Sequence, residues 1–199
     1  MRFKKRAKEI IALKKEDDAL REQLIKEGQL GEGYNTEMEQ IHIKNAQHLE
    51  KIIAEMGYPT AEKVGEEASN AAWLIIQHAI GQPAFMRKCA KLLKNEVNQG
   101  VGNPLNLAYL IDRIAVFEGK LQPYGTQFDW DENGELCPMP MENINLVNQR
   151  RISLGLPSIE EQIKHIRKRT LDEGQTPPDD LSKRKQEMEA WKKKVGWIV

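Results

Sequence analysis

A chain of 199 residues with 40% hydrophobic and 30% charged side chains has the apolar content for one good core under a heavily solvated exterior. Its 30 basic residues are matched by 30 acidic ones, so no global field draws it to nucleic acid or to an anionic membrane. The longest apolar run, residues 71–76, is far too short to cross a bilayer, and the basic start is not followed by the apolar stretch of a secretory leader.

Residues 3–28 read as a charged amphipathic helix, with Phe3, Ala7, Ile10, Leu13, Leu20 and Leu24 near helical spacing and Gly28 as its stop. Residues 31–35 form a loop. Thr36-Glu-Met-Glu39 has the form of a capping box and opens a second helix, which carries Met38, Ile41, Leu49, Ile52 and Ile53 and ends at Gly57, before Pro59. The third helix, 66–80, is apolar on most of its circumference, as in a helix at the middle of a fold. Gly81 and Pro83 separate it from a fourth helix over 83–98, with Phe85, Cys89, Leu92, Leu93 and Val97. A glycine-rich loop leads to a fifth helix over 105–118, again apolar nearly all round, with Asp112 and Arg113 in its middle.

From Gln122 the grain changes. Residues 122–130 alternate like a strand, Asp131-Glu-Asn-Gly134 is a turn signal, and residues 135–139 return as a second strand. Residues 145–154 are helical again up to Gly155, and Ser158-Ile-Glu-Glu161 is a capping box opening a helix to about Asp172. After a linker at 174–178 comes a charged segment with Leu181, Met188, Trp191 and Val195 along one side. The fold class is mainly α, a compact helical bundle with one small β-hairpin (a minor α+β element). The domain reading is an N-terminal amphipathic helix at 1–30, a single globular domain at 31–173, and a C-terminal linker and amphipathic helix at 174–199.

Three clusters point to a site, because polar groups inside apolar segments are costly unless paired or used. Asp112 and Arg113 lie about 100° apart on their helix and do not pair with each other, so each needs an outside partner. His78 carries the one side chain suited to proton transfer near neutral pH, and Asn70, Trp73 and Gln77 line one face beside it at spacings of three and four. In Gln122-Pro-Tyr-Gly-Thr-Gln127, strand alternation puts Gln122, Tyr124 and Thr126 on one face and Gln127 on the other. Gly125 permits close backbone approach, to a ligand or to another segment of the chain.

No metal or cofactor is expected. Glu67 and His78 share a helix face but stand ~16 Å apart along it, and His42, His48 and His165 have no ligand-like neighbour one turn away. Cys89 and Cys137 form no metal-type spacing, and Cys89 reads as a small core residue. No phosphate loop, dinucleotide fingerprint, nucleophile elbow or His-Glu-x-x-His motif is present.

Gly65-Glu-Glu-Ala-Ser-Asn-Ala-Ala-Trp-Leu-Ile-Ile-Gln-His-Ala79, Leu107-Ala-Tyr-Leu-Ile-Asp-Arg113, Gly119-Lys-Leu-Gln-Pro-Tyr-Gly-Thr-Gln127 and Asn148-Gln-Arg-Arg-Ile-Ser-Leu-Gly-Leu156 together resemble an uncharacterised bacterial family, domain of unknown function 6624. The resemblance covers roughly residues 56–166. It implies a soluble bacterial protein and brings no activity with it. The family's recurrent polar positions fall on Gln77, His78, Asp112, Arg113, Gln122, Tyr124, Thr126 and Gln127.

The functional expectation is a cytoplasmic protein with a polar pocket where the 66–80 and 105–118 helices meet the hairpin. In one reading it is a hydrolase or transferase acting on a small polar or peptide-like substrate. His78 is then general base or acid, Asp112 orients it, and Arg113 with the amides of Gln122 and Gln127 stabilises developing charge. In the alternative it is a non-catalytic ligand-binding or protein-interaction module, with a homodimer formed through the terminal helices around Trp191 and Trp197. In a third the cluster is a buried network that fixes helix registry. Neither nucleic acid nor membrane is an expected partner.

Overall fold

Ala7, Ile10, Leu13 and Leu24 recur at helical spacing and bury one face of the first helix, α1 (Lys4–Lys26). The computed structural model describes residues 2–29 and 34–199. Among the described residues the chain is mainly helical, with nine helices and one two-stranded antiparallel hairpin. By internal contacts it divides into two compact units, residues 1–107 and 108–199.

In the first unit, α2 (Thr36–Met56) starts where expected but is capped by a different residue. The Asn35 side-chain oxygen accepts from the N–H groups of Glu37 and Met38, and Thr36 is already helical. Of the expected loop at 31–35, residues 31–33 lie outside the described residues. Gly57 ends α2 at φ +76°, and a single turn, α3 (Ala61–Val64), follows. Four residues are too few to show a period, which is why the sequence gives no hint of α3. The next helix, α4 (Glu66–His78), stops two residues short of the expected end, so Gln77 and His78 occupy its last turn rather than its interior. Pro83 sits in the first turn of α5 (Pro83–Asn98), where its missing N–H costs nothing.

Helices α1, α2 and α4 pack pairwise on one another, and α5 packs on α4. Leu49, Ile52, Ile75, Ile76, Met86 and Leu93 fill the core between them. α1 contributes Ile10 and Leu24 to that core.

The last of the apolar helices, α6 (Pro104–Phe117), leads into the second unit. There β1 (Phe128–Trp130) pairs with β2 (Leu136–Pro138), Phe128 opposite Pro138 and Trp130 opposite Leu136. The strand expected over 122–130 is confined to its last three residues. Residues 122–127 run irregularly, with one isolated bridge from Gln122 to Met141. The remaining helices are α7 (Ile144–Ser153), α8 (Ile159–Asp172) and α9 (Leu181–Val195), and α8 carries the expected capping box between Ser158 and Glu161. α8 packs on both α7 and β2. The tail folds back within its own unit. Trp197 is only 4% exposed and stacks on Phe117 with ring centroids 5.1 Å apart, and Trp191 meets the same ring at 5.9 Å. The aromatic side chains expected to dock a second copy are occupied in this way.

Among the described residues no helix is long and apolar enough to cross a membrane.

Gly125 shows why the irregular segment needs a glycine. Its φ is +63°, and a Cβ there would stand 2.9 Å from Ile159 Cδ1 and 3.2 Å from Met141 Sδ. The close approach left open by the sequence is therefore to the chain itself. Gly125→Ala combines a left-handed penalty with overpacking of a buried isoleucine, and should lower stability by roughly 2–4 kcal/mol in urea melts.

Candidate functional site

The residues singled out in the sequence fall into both units, and each group is described in its own unit. In the first, the side chain of His78 meets a partner that the sequence did not suggest. His78 Nδ1 donates to Asp17 Oδ2 at 2.9 Å, and His42 Nε2 donates to Asp17 Oδ1 at 3.4 Å. One carboxylate from α1 thus stands between imidazoles from α2 and α4. The two rings lie against each other, with centroids 4.8 Å apart. On the far side of His42, Nδ1 shares a hydrogen bond of 2.6 Å with the Tyr34 hydroxyl, whose ring stacks on the imidazole.

The triangle is nearly dry. Asp17 is 2% exposed and His42 8%, whereas the side chain of His78 keeps 27% of its surface open. Burial alone would push the Asp17 carboxyl up, but the hydrogen bonds from His42 and His78 outweigh it and hold the group well below the usual carboxylate range. Asp17 is therefore an ionised acceptor, and both ring nitrogens facing it carry hydrogens. Burial also pushes the Tyr34 phenol up, so its hydroxyl keeps its proton.

The rest of the expected α4 face is divided. Gln77 is buried, Trp73 is half-buried and donates its indole N–H to the Asn106 carbonyl at 3.1 Å, and Asn70 is exposed. These three side chains do not share one environment, so they do not form a continuous pocket wall.

In the second unit the expected catalytic carboxylate has a structural task. Asp112 is fully buried, and its two oxygens accept from the backbone N–H groups of Tyr124 at 3.0 Å and Thr126 at 2.8 Å. Burial pushes its carboxyl up, partly offset by those two N–H groups. With both oxygens so engaged, Asp112 is not the group that orients His78; Asp17 holds that position. Gln122 is likewise consumed within its own loop. Its Oε1 accepts from Gln127 N–H at 2.7 Å, while Nε2 donates to the carbonyls of Gln127 at 3.0 Å and Met139 at 2.8 Å. That amide is not free to stabilise charge on a substrate. Arg151, fully buried, donates from Nη1 to the Tyr124 carbonyl at 2.8 Å and from Nε to the Pro157 carbonyl at 2.7 Å. Gln127 donates from its side chain to Thr126 Oγ1 at 3.0 Å, and Arg113 is half-buried in α6. The segment 122–127 pairs with the main chain of residues 139–142 only at its ends, so Gln122, Asp112 and Arg151 satisfy much of the backbone in between.

A cavity of about 410 Å³ lies in the second unit between the hairpin and α9, lined by Trp130, Cys137, Met139, Arg184 and Met188 among others. None of the expected site residues lines it. Cys89 and Cys137 are free thiols, and burial pushes the Cys89 thiol up to about 12, which leaves it a core residue rather than a nucleophile.

Asp17, His42, Tyr34 and Arg151 were missed as candidates. A usable signal existed for two of them. Asp17 stands on the buried stripe of α1 with Ile10, Leu13 and Leu24, and His42 on that of α2 with Met38, Ala46 and Leu49. The test that picked out His78, a polar residue on an apolar face, applies equally to both.

Residues 5–170 match the family model described as "Family of unknown function (DUF6624)". That span begins in α1 and so includes Asp17, well before the motifs that carried the resemblance. No curated protein and no solved structure matches the chain.

Two outcomes test these roles. Asp112→Ala strands two buried N–H donors and should cost on the order of 3 kcal/mol or more in chemical denaturation. Asp17 has a folded-state pKa below its ordinary 3.8, so the unfolded state binds the proton more readily. Its contribution is in full force above that value and is lost as pH falls toward the folded pKa. Lowering the pH from about 5 to about 2 should therefore destabilise the wild type more steeply than Asp17→Asn, as read from urea midpoints.

Proposed function

The chain belongs to this family of unknown function, and from its own residues we propose that it is a hydrolase or group-transfer enzyme acting on a small polar or peptide-like substrate, with the Asp17–His42–His78 triangle as its chemical centre. One observation carries the reading: a partly exposed imidazole whose inner nitrogen is fixed at 2.9 Å by a buried carboxylate. When the triangle carries only protons, Asp17 keeps a hydrogen on His78 Nδ1 and leaves Nε2 as the basic nitrogen. A base of that kind takes a proton from water or from a substrate hydroxyl and returns it to a leaving group. Asp17 stays ionised throughout and orients the ring.

Three helices present the triangle, which favours a fixed geometry over a loop-borne one. His42 supports it from the buried side, held in turn by Tyr34. A cytoplasmic setting accords with the two free thiols and with the absence of a membrane-crossing helix among the described residues.

The test is a panel of p-nitrophenyl esters, phosphate esters and aminoacyl amides, assayed with the wild type and with His78→Gln. The expected outcome is turnover of one class by the wild type and a loss of about 10²- to 10⁴-fold in kcat for the variant, with the fold retained by circular dichroism. Turnover that survives His78→Gln unchanged removes the triangle from the chemistry. A panel with no turnover, combined with saturable binding of one of these compounds, turns the reading to the non-catalytic module.

A further inference from the structure

We infer that Asp17, His42 and His78 form a binding site for a divalent transition metal of the zinc type. Each residue offers one ligand atom, and the three atoms lie within 4.8 Å of one another. The sides that include Asp17 measure 2.9 and 3.4 Å. In a tetrahedral zinc site with metal–nitrogen distances of about 2.0–2.1 Å, neighbouring ligand atoms stand roughly 3.3 Å apart. Drawing the two imidazole nitrogens onto one centre asks only for a small turn of His78, which ends its helix and is partly exposed.

The donor set decides the class of ion. Two imidazole nitrogens and one carboxylate favour borderline transition metals over magnesium or calcium, which prefer oxygen ligands. Three protein ligands leave a fourth position for water, the composition of catalytic rather than structural zinc sites. Loading the site requires no net loss of protons from the rings. His42 shifts its hydrogen from Nε2 to Nδ1, where it donates to the Tyr34 oxygen, and His78 shifts its hydrogen from Nδ1 to the outer Nε2. Tyr34 then plays the part of the partner that fixes a ligating histidine's tautomer and direction. The same spacing explains why no ligand motif shows in the sequence: the three residues are separated by 25 and 36 positions, with no i,i+4 pair among them.

The site deepens the function proposed above. Only its chemical consequence, passing the activation of water from the ring to a bound cation, rests on that reading; the binding is read without turnover. The full chain, stripped with a chelator, is titrated with Zn²⁺ by calorimetry and with Co²⁺ by visible absorption. One equivalent per chain, a Co²⁺ spectrum of low coordination number and a raised Tm are expected, with no comparable response to Mg²⁺. His78→Gln and Asp17→Asn should each weaken binding at least tenfold, and Tyr34→Phe about ten- to a hundredfold with the stoichiometry kept. His78→Gln is the least disruptive of these because its side chain is the most exposed of the three ligands. Absence of Zn²⁺ binding by the folded wild type overturns the inference, as does binding of unchanged affinity in folded His78→Gln and Asp17→Asn. If Zn²⁺ does not bind while His78→Gln still abolishes turnover, the metal falls and the proposed function stands. If Zn²⁺ binds at the triangle while turnover survives His78→Gln, the metal stands and the proposed function falls.

Discussion

A single ionised carboxylate organises the first unit. Asp17 is removed from water on α1, and a charge in that position must be met on both oxygens. The imidazoles of α2 and α4 meet it, so the three helices that build the core also converge on one polar point. Neighbouring contacts hold the register that brings them there. Asn45 donates to the Leu13 carbonyl at 3.0 Å, about one turn along from Asp17 and His42, and Lys44 pairs with Glu16 at 2.8 Å on the same two helices. A buried carboxylate left without these donors is costly, which makes the arrangement intolerant of drift in any of the three helices. An acceptor so placed sets the tautomer of both rings at once.

The second unit solves a different problem with the same materials. Its backbone between α6 and β1 pairs with residues 139–142 only at its two ends, and three buried side chains supply partners in between. Asp112 takes N–H groups, Arg151 takes carbonyls, and Gln122 takes one of each from Gln127. Arg150 adds a donor to the Pro123 carbonyl at 3.0 Å. Polar residues that look like a site in the sequence are here the scaffold of a loop.

The comparison of sequence and structure turns on what each kind of signal can carry. Helix positions were legible because apolar spacing and stops such as Gly57, Pro83 and Gly155 act within a few residues. The capping box at Ser158 was legible for the same reason, whereas the one read at Thr36 lost to Asn35, a residue equally able to cap and placed one position earlier. The strand reading of 122–127 failed because alternation says nothing about whether a partner strand exists, and here the pairing begins only at Phe128. His78 draws attention in the sequence as a polar residue on an apolar helix, and the structure puts it in that helix's last turn. Its partner lies 61 residues away on another element, a distance across which no local pattern speaks. The same holds for Asp112 and Arg151, whose contacts with residues 124–126 depend on the tertiary fold. Polarity in a greasy stretch thus marks that a group is employed, and the partners that the tertiary fold brings to it decide in what.

The loop from Gln122 to Gln127 has one more consequence. Its shape is dictated by Asp112, Gln122 and Arg151, whose side chains never reach the surface, so the course of the main chain is set from the buried side. A bracket fixed at its back can carry different fittings in front. The fixing points, Asp112, Gln122 and Arg151, are all buried, so the mounting is shielded from whatever meets the surface.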